Sequence, residues 1–404
     1  MGCGSSKWSD PGVRRRRPTS VGEVVVFLPG LRVPRNMDFP QPLGDHLDKS
    51  IVERLSALRA RVVAMATQEA ATALKPKGRS AARHGGSSTA NLIQALEEYL
   101  PVLLGLVKEG SELRNKVRFV WTNQEDAAEE TSMTDSWLIT CFFLGLMVTI
   151  MDREFRKESR QATVDLFLKA AGYLDCAIHH VLPQIPLERR RELPLDLAEG
   201  NLKALSLQGL GQGVDMQLGL AIDNPKATLA VKRRLACEMI KCWQQVKDSI
   251  PDLPLSDGWG RKHALFVKWK YVEAKAAAYY FHGLILDEGE TENSQEMAIA
   301  ALQASEEFLN ESKRASEAFH IASPTSRIPT PFGTTKHLLD MIPKDTLRLV
   351  QSYQDLHAQE RTLHVGTSKI ITAPPTLPDF QLALGPEDYE LPQLHSLWNE
   401  AIHP

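Results

Sequence analysis

The chain has 404 residues, 43% of them hydrophobic, and a formal net charge of −3. That is enough apolar material for one large core or two smaller ones, and the small net charge argues against a whole-protein field for nucleic acid or membrane. Five cysteines, scattered and odd in number, do not form a disulfide framework and fit a reducing, cytosolic compartment. The longest uncharged run, 136–151, lies between Asp135 and Asp152. It falls short of the roughly 20 residues a bilayer span requires and predicts a buried helix instead. No secretory signal is visible, because the basic N-terminus leads into no apolar segment.

The first residues carry the sharpest local signal. Met1-Gly2-Cys3-Gly4-Ser5-Ser6 fits the pattern for N-myristoylation of Gly2 after removal of Met1, and Cys3 is placed for S-palmitoylation. One acyl chain gives only marginal membrane binding. A second chain on Cys3, or attraction of Arg14 to Arg17 to an anionic membrane surface, would make the anchor durable.

Val24 to Leu28 reads as a short strand ended by Pro29-Gly30. A helix is predicted from Asp45, with Ile51, Leu55, Leu58, Val62 and Met65 on one face. A Lys/Arg/Gly/Ser-rich linker over 75–88 follows. The next helix, 89–107, contains Pro101, which should kink or break it. Phe119-Val120-Trp121 forms an aromatic cluster before an acidic loop. After the apolar helix 137–151, a longer helix runs to Val181 with the stripe Val164, Phe167, Ala171, Leu174, Ile178 and Val181. An exposed turn at 188–193 precedes a helix over 195–222. Asp223-Asn224-Pro225 caps the next helix, 226–246, with proline at its first position.

The stretch 259–319 predicts two long helices joined by a tight turn. The first, 261–286, repeats Leu265, Trp269, Val272, Ala276, Tyr279 and Gly283 in steps of four and three. Gly289 is expected to end it in the left-handed conformation, and Asn293 to cap the second with Glu296 as capping-box partner. The second carries Ala298, Ala301, Ser305, Phe308, Ser312, Ala315 and Phe319 on the same rhythm. Small residues on both faces predict an antiparallel helical hairpin within a solenoid. A Pro/Thr/Ser linker, a modest helix over 337–351 and a proline-rich tail complete the chain. The tail is expected to lie extended along the helical body or to be partly disordered.

Catalytic and metal signatures are missing from this pattern. His179-His180 has no zinc-binding spacing, and Cys237 and Cys242, five apart on one helix, face different directions. Gly209-Leu210-Gly211-Gln212-Gly213 follows a helix rather than a strand and lacks a phosphate-binding lysine, so its glycines are read as sites of close packing. Basic patches interleaved with aromatics, as nucleic-acid binding wants, are absent outside the N-terminus. Neither a cofactor nor a small-molecule substrate is expected.

The order of elements resembles the Bro domain, the boomerang-shaped helical domain of Alix and its relatives. The resemblance is carried by Phe119-x-Trp121, Leu168-Lys169-Ala170-Ala171-Gly172, the 205–222 segment with Gln208 and Gln212, Phe266-x-x-Trp269-Lys270, and Leu302-Gln303-Ala304. The Met-Gly-Cys start, Pro29-Gly30-Leu31-Arg32-Val33-Pro34 and Ala373-Pro374-Pro375-Thr376-Leu377-Pro378 look like the plant Bro-like proteins described as endosomal-targeting. The resemblance implies an all-α irregular solenoid with a tetratricopeptide-like core and a short N-terminal β segment. It implies no enzymatic activity, and docking of the C-terminal helix of an ESCRT-III subunit in an apolar groove. Matching residues 230–236 onto the family's docking helix places Val231 and Leu235 at contact positions, with Leu229 nearby.

The expected organisation is an acylated basic anchor over 1–21, a Bro-like domain over 22–375 and a proline-rich tail over 376–404. The expected function is a membrane-tethered adaptor in endosomal sorting, cytoplasmic and peripheral on endosomal or plasma membrane. A lipid-anchored scaffold for a different signalling peptide is the alternative.

Overall fold

A computed structural model describes residues 32–74, 88–108, 111–123, 130–137, 140, 160–191, 193, 197–250, 258–289, 291–323, 331, 333–360 and 373–400. The acylation positions Gly2 and Cys3, the expected strand at Val24 to Leu28, the linker over 75–87 and most of the apolar helix 137–151 lie outside these residues. No helix among the described residues is long and apolar enough to cross a membrane.

A small antiparallel sheet opens the described fold. Strand β1 (Arg32–Pro34) pairs with β2 (Phe119–Asn123), which pairs with β3 (Glu130–Met133), in the order β1-β2-β3. Pro34 sits opposite Trp121 on an edge strand, the place in a sheet that tolerates a residue with no N–H. The Phe119–Trp121 cluster is therefore a strand, with Phe119 and Trp121 turned inward and Val120 between them. Helix α1 (Lys49–Leu74) packs against this sheet. The buried Arg59 of α1 donates from Nε to Arg35 O at 3.1 Å, with its guanidinium 5.6 Å from the Phe119 ring centroid and 5.1 Å from that of Trp121.

Helix α2 (Ser88–Leu103) accommodates Pro101 without breaking, then tightens into a 3-10 turn, Leu104–Val107. Helix α3 (Arg160–Cys176) continues through a π-helical turn, Ala177–Val181, that leaves His179 and His180 exposed. Its expected stripe is buried at Val164, Phe167, Ala171, Leu174 and Val181. Between these elements, Arg114 grips the buried Asp135 with two hydrogen bonds, Nε to Oδ1 at 2.9 Å and Nη2 to Oδ2 at 2.7 Å.

The second half stacks α4 (Glu199–Asp223), α5 (Leu229–Ser249), α6 (Gly258–Asp287), α7 (Glu292–Ile321) and α8 (Gly333–Glu360). Each packs on the next, and α8 folds back onto α4 and α6 as well as α7. The glycine run in α4 does what packing asks of it. A Cβ on Gly211 would lie 3.2 Å from the Trp243 indole, so α4 and α5 meet at close range. In the hairpin, Ser305 Oγ donates to Ala276 O at 2.7 Å, and Tyr279 stacks on Phe308 with centroids 5.5 Å apart.

Three expected helix boundaries are corrected. Helix α5 begins at Leu229, not Lys226. The Asn224 side chain accepts from Lys226 N at 3.0 Å, which holds Pro225 in a turn, and Thr228 becomes the N-cap by accepting from Val231 N at 3.4 Å. Gly289 does not take the left-handed conformation, since Gly333 (φ 58°) is the one positive-φ glycine among the described residues. Glycine is needed at 289 because the turn packs tightly; a Cβ there would sit 2.7 Å from Ser294 Oγ. Helix α7 is capped by Thr291, whose hydroxyl accepts from Ser294 N at 3.2 Å, so Asn293 lies inside the helix.

Helix α6 is also buried more completely than its one-stripe periodicity implies. Phe266, Val267, Ala274, Ala277, Ala278 and Tyr280 are buried alongside the expected Trp269, Val272, Ala276 and Gly283, while Leu265 and Tyr279 are partly buried, because α5, α7 and α8 surround the helix. It brings charge into the core. Lys270 Nζ lies 3.1 Å from Asp215 Oδ2 and 2.5 Å from Glu273 Oε1, and Thr335 Oγ1 donates to the same Glu273 oxygen at 3.1 Å. Burial opposes the charge on Lys270, but the two carboxylates outweigh it and hold its pKa above the ordinary lysine value.

Two cores result. One gathers the sheet, α1, α2 and α3 with Leu202 and Met216 of α4, and the other α4 to α8 with Ala171 of α3. Residues 373–400 cross both as an extended strap ending in a single helical turn, Leu397–Glu400. Leu377, Phe380 and Leu382 pack on the second core, Tyr389, Leu391, Leu394 and Trp398 on the first, and Leu384 on both.

Candidate partner-docking face

Helix α5 is the element on which the sequence placed its candidate contacts. Val231 and Leu235 are one turn apart and share a face, whereas Leu229, two residues before Val231, points to the far side. Val231 is 47% exposed and stands apart from both cores. Leu229 and Leu235 are partly buried against the core of α4 to α8. The structure therefore brings Val231 and Leu235 together and leaves Leu229 out.

The surroundings are cationic. Between Lys226 and Lys241 the sequence has five basic residues, Lys226, Lys232, Arg233, Arg234 and Lys241, and one acidic residue, Glu238. Glu238 is buried and already engaged, its Oε1 accepting from Arg234 Nε at 2.9 Å. Arg233 Nη1 lies 3.1 Å from His282 Nδ1 on α6, which suits a neutral imidazole accepting at that nitrogen. Burial and the Arg233 charge both lower the His282 pKa. Arg233 Nε is buried without a hydrogen-bond partner among the described residues. Arg234, one turn from Val231, sets a cation beside the exposed aliphatic side chain, a pairing suited to an amphipathic helix with an acidic flank.

No spacing in the sequence places the C-terminal tail against this particular helix. The same side of α5 holds the C-terminal strap. Glu238 Oε2 accepts from Ala383 N at 3.0 Å, Lys241 Nζ donates to Phe380 O and Asp379 Oδ1, each at 3.2 Å, and the Arg234 guanidinium lies 5.8 Å from the Phe380 ring centroid. The signal available was Glu238 itself, the one carboxylate between Lys226 and Lys241.

Cys176, Cys237 and Cys242 are free, buried thiols, with pKa values pushed up to about 11, 11 and 12, mainly by burial. No group of three or more metal-ligating side chains occurs among the described residues.

No family model matches the sequence, and no curated protein does. Solved structures do. A crystal structure of ALIX in complex with the SIVmac239 PYKEVTEDL late domain superposes with a TM-score of 0.64 at 13% identity, covering 94% of this chain and 51% of that one. This chain thus spans about half the length of that ALIX chain. A complex of the ALIX BRO1 domain with CHMP4C gives a TM-score of 0.58 at 14% identity, covering 92% of this chain and 99% of the other. At these identities the likeness is one of fold, and the fold of this chain is that of the Bro domain.

Proposed function

We propose that this protein is a non-enzymatic, membrane-tethered adaptor that binds the C-terminal helix of an ESCRT-III subunit on the Val231/Leu235 face of α5 and acts in endosomal sorting and multivesicular-body trafficking. The observation that carries the reading is the 47% exposure of Val231 on a cation-rich helix. Support comes from the shared fold, since the ALIX BRO1 domain was solved with CHMP4C. Acylation of Gly2 and Cys3 would concentrate the adaptor on endosomal or plasma membrane and raise the effective concentration for a weak helical partner.

Pulldown of the full chain with the CHMP4C C-terminal helix tests the docking half of the reading. Val231→Asp and Leu235→Asp should each weaken capture, because a carboxylate would be desolvated where the guest helix buries an apolar side chain. Unchanged capture by both removes the assignment of this face. Gly2→Ala should move the protein from the membrane fraction to the soluble fraction, and an unchanged partition removes the anchor.

A further inference from the structure

We propose that the docking face is composite: residues 377–384 of the chain's own C-terminal strap form one wall of it, so a guest helix meets Phe380 and Arg234 as well as Val231 and Leu235. The proposal rests on the reading that α5 docks a partner helix.

Spacing along α5 puts these groups side by side. Val231, Arg234, Leu235 and Glu238 follow the i, i+3, i+4, i+7 pattern that lines one helix face. Arg234 is the hinge of the arrangement: it sits one turn from Val231, pairs with Glu238 and lies against Phe380. Glu238 and Lys241 then fix the strap through its backbone, at Ala383 N and Phe380 O. Backbone contacts of this kind set the position of the segment irrespective of its side chains. Glu238 is buried, so its hydrogen bond to Ala383 N is shielded from competing water.

The strap presents a usable wall. Leu377, Phe380, Leu382 and Leu384 are partly buried and turned to the helices, while Asp379, Gln381 and Ala383 are exposed. Phe380 is partly buried, and its ring lies 5.8 Å from the guanidinium of Arg234, one turn from the exposed Val231. The strap is a fixed wall rather than a competing peptide because close-fitting contacts hold it further along. Glu387 N donates to Leu168 O at 3.0 Å, and Gly172 leaves room for the Glu387 carbonyl.

Fluorescence anisotropy of a labelled CHMP4C C-terminal-helix peptide, titrated with the full-length protein and its variants, separates the two ideas. Phe380→Ala and Lys241→Met are the strap variants; the first removes the wall side chain and the second unclamps the segment without deleting an apolar group. Each should weaken binding roughly five- to tenfold, while circular dichroism melts confirm a folded domain. Val231→Asp reports on the underlying reading. Loss of binding in Val231→Asp with wild-type affinity in both strap variants overturns the composite wall and leaves the docking face standing. Tighter binding in the strap variants also overturns it, because the strap would then be a competitor. No binding by the wild type, or no effect of Val231→Asp, removes the docking reading and the wall with it.

Discussion

The indole of Trp398 occupies the space that a β-carbon on Gly105 would fill. Trp398 is 3% exposed, and its Nε1 donates to Val102 O at 3.0 Å. His395 N donates to Pro101 O at 3.2 Å. Carbonyls at the end of α2, where the helix tightens to a 3-10 turn, thus receive their donors from residues almost three hundred positions later. The C-terminal strap is latched to the first core at this point.

Substitution at the latch should destabilise the first core from a distance in sequence. Trp398→Ala should cost about 3–5 kcal/mol through the cavity it leaves. Gly105→Ala, an otherwise helix-favouring change, should cost about 1–3 kcal/mol by forcing the indole out. Urea denaturation followed by tryptophan fluorescence and circular dichroism measures both, and a stabilised Gly105→Ala would contradict the close fit.

The buried Lys270 should be intolerant of neutralisation. Lys270→Met would strand Asp215 and Glu273, whose Oδ1 and Oε2 already lack hydrogen-bond partners among the described residues. The expected loss is about 3–5 kcal/mol, the cost of leaving buried charge unpaired. A triple change of Lys270→Met, Asp215→Leu and Glu273→Leu should recover most of it, and equilibrium denaturation of the two proteins gives the comparison.

Acid should weaken the fold through His263. Its Nε2 lies 2.9 Å from Gln208 Oε1, which suits the neutral, donating ring, and burial pulls its pKa down to about 4. A histidine depressed in the folded state favours folding fully only above its unfolded value near 6.5, and that contribution is lost as pH falls toward the folded value. Between pH 7 and pH 5 the loss from this residue should be about 2 kcal/mol. Thermal melts should show His263→Gln with a flatter pH profile than the wild type; parallel profiles would contradict the assignment.

Val231 and Leu235 should part company in stability. Val231→Asp should change unfolding free energy by no more than about 0.5 kcal/mol, since the side chain is 47% exposed and outside both cores. Leu235→Asp, partly buried against the second core, should cost about 1–3 kcal/mol. Denaturation curves of the two variants, measured beside the pulldown, separate a binding defect from a folding defect.

Helix identity, helix order and the small-residue contacts of α4, α6 and α7 were legible in the sequence, because periodicity and residue size act locally along the chain. The close-packing role of the glycines in Gly209 to Gly213 was legible for the same reason. The fold, read from the order of these elements, is the one the structure shows. Local chemistry misjudged the caps, where Asn224, Thr228 and Thr291 compete for nearby amides and the winner depends on where the chain must turn. Burial of Lys270 with Asp215 and Glu273, exposure of Val231 and the seating of Trp398 at Gly105 were decided only by tertiary structure. Each depends on groups far apart in sequence meeting in one place, and no spacing rule within a single helix records what will pack against it.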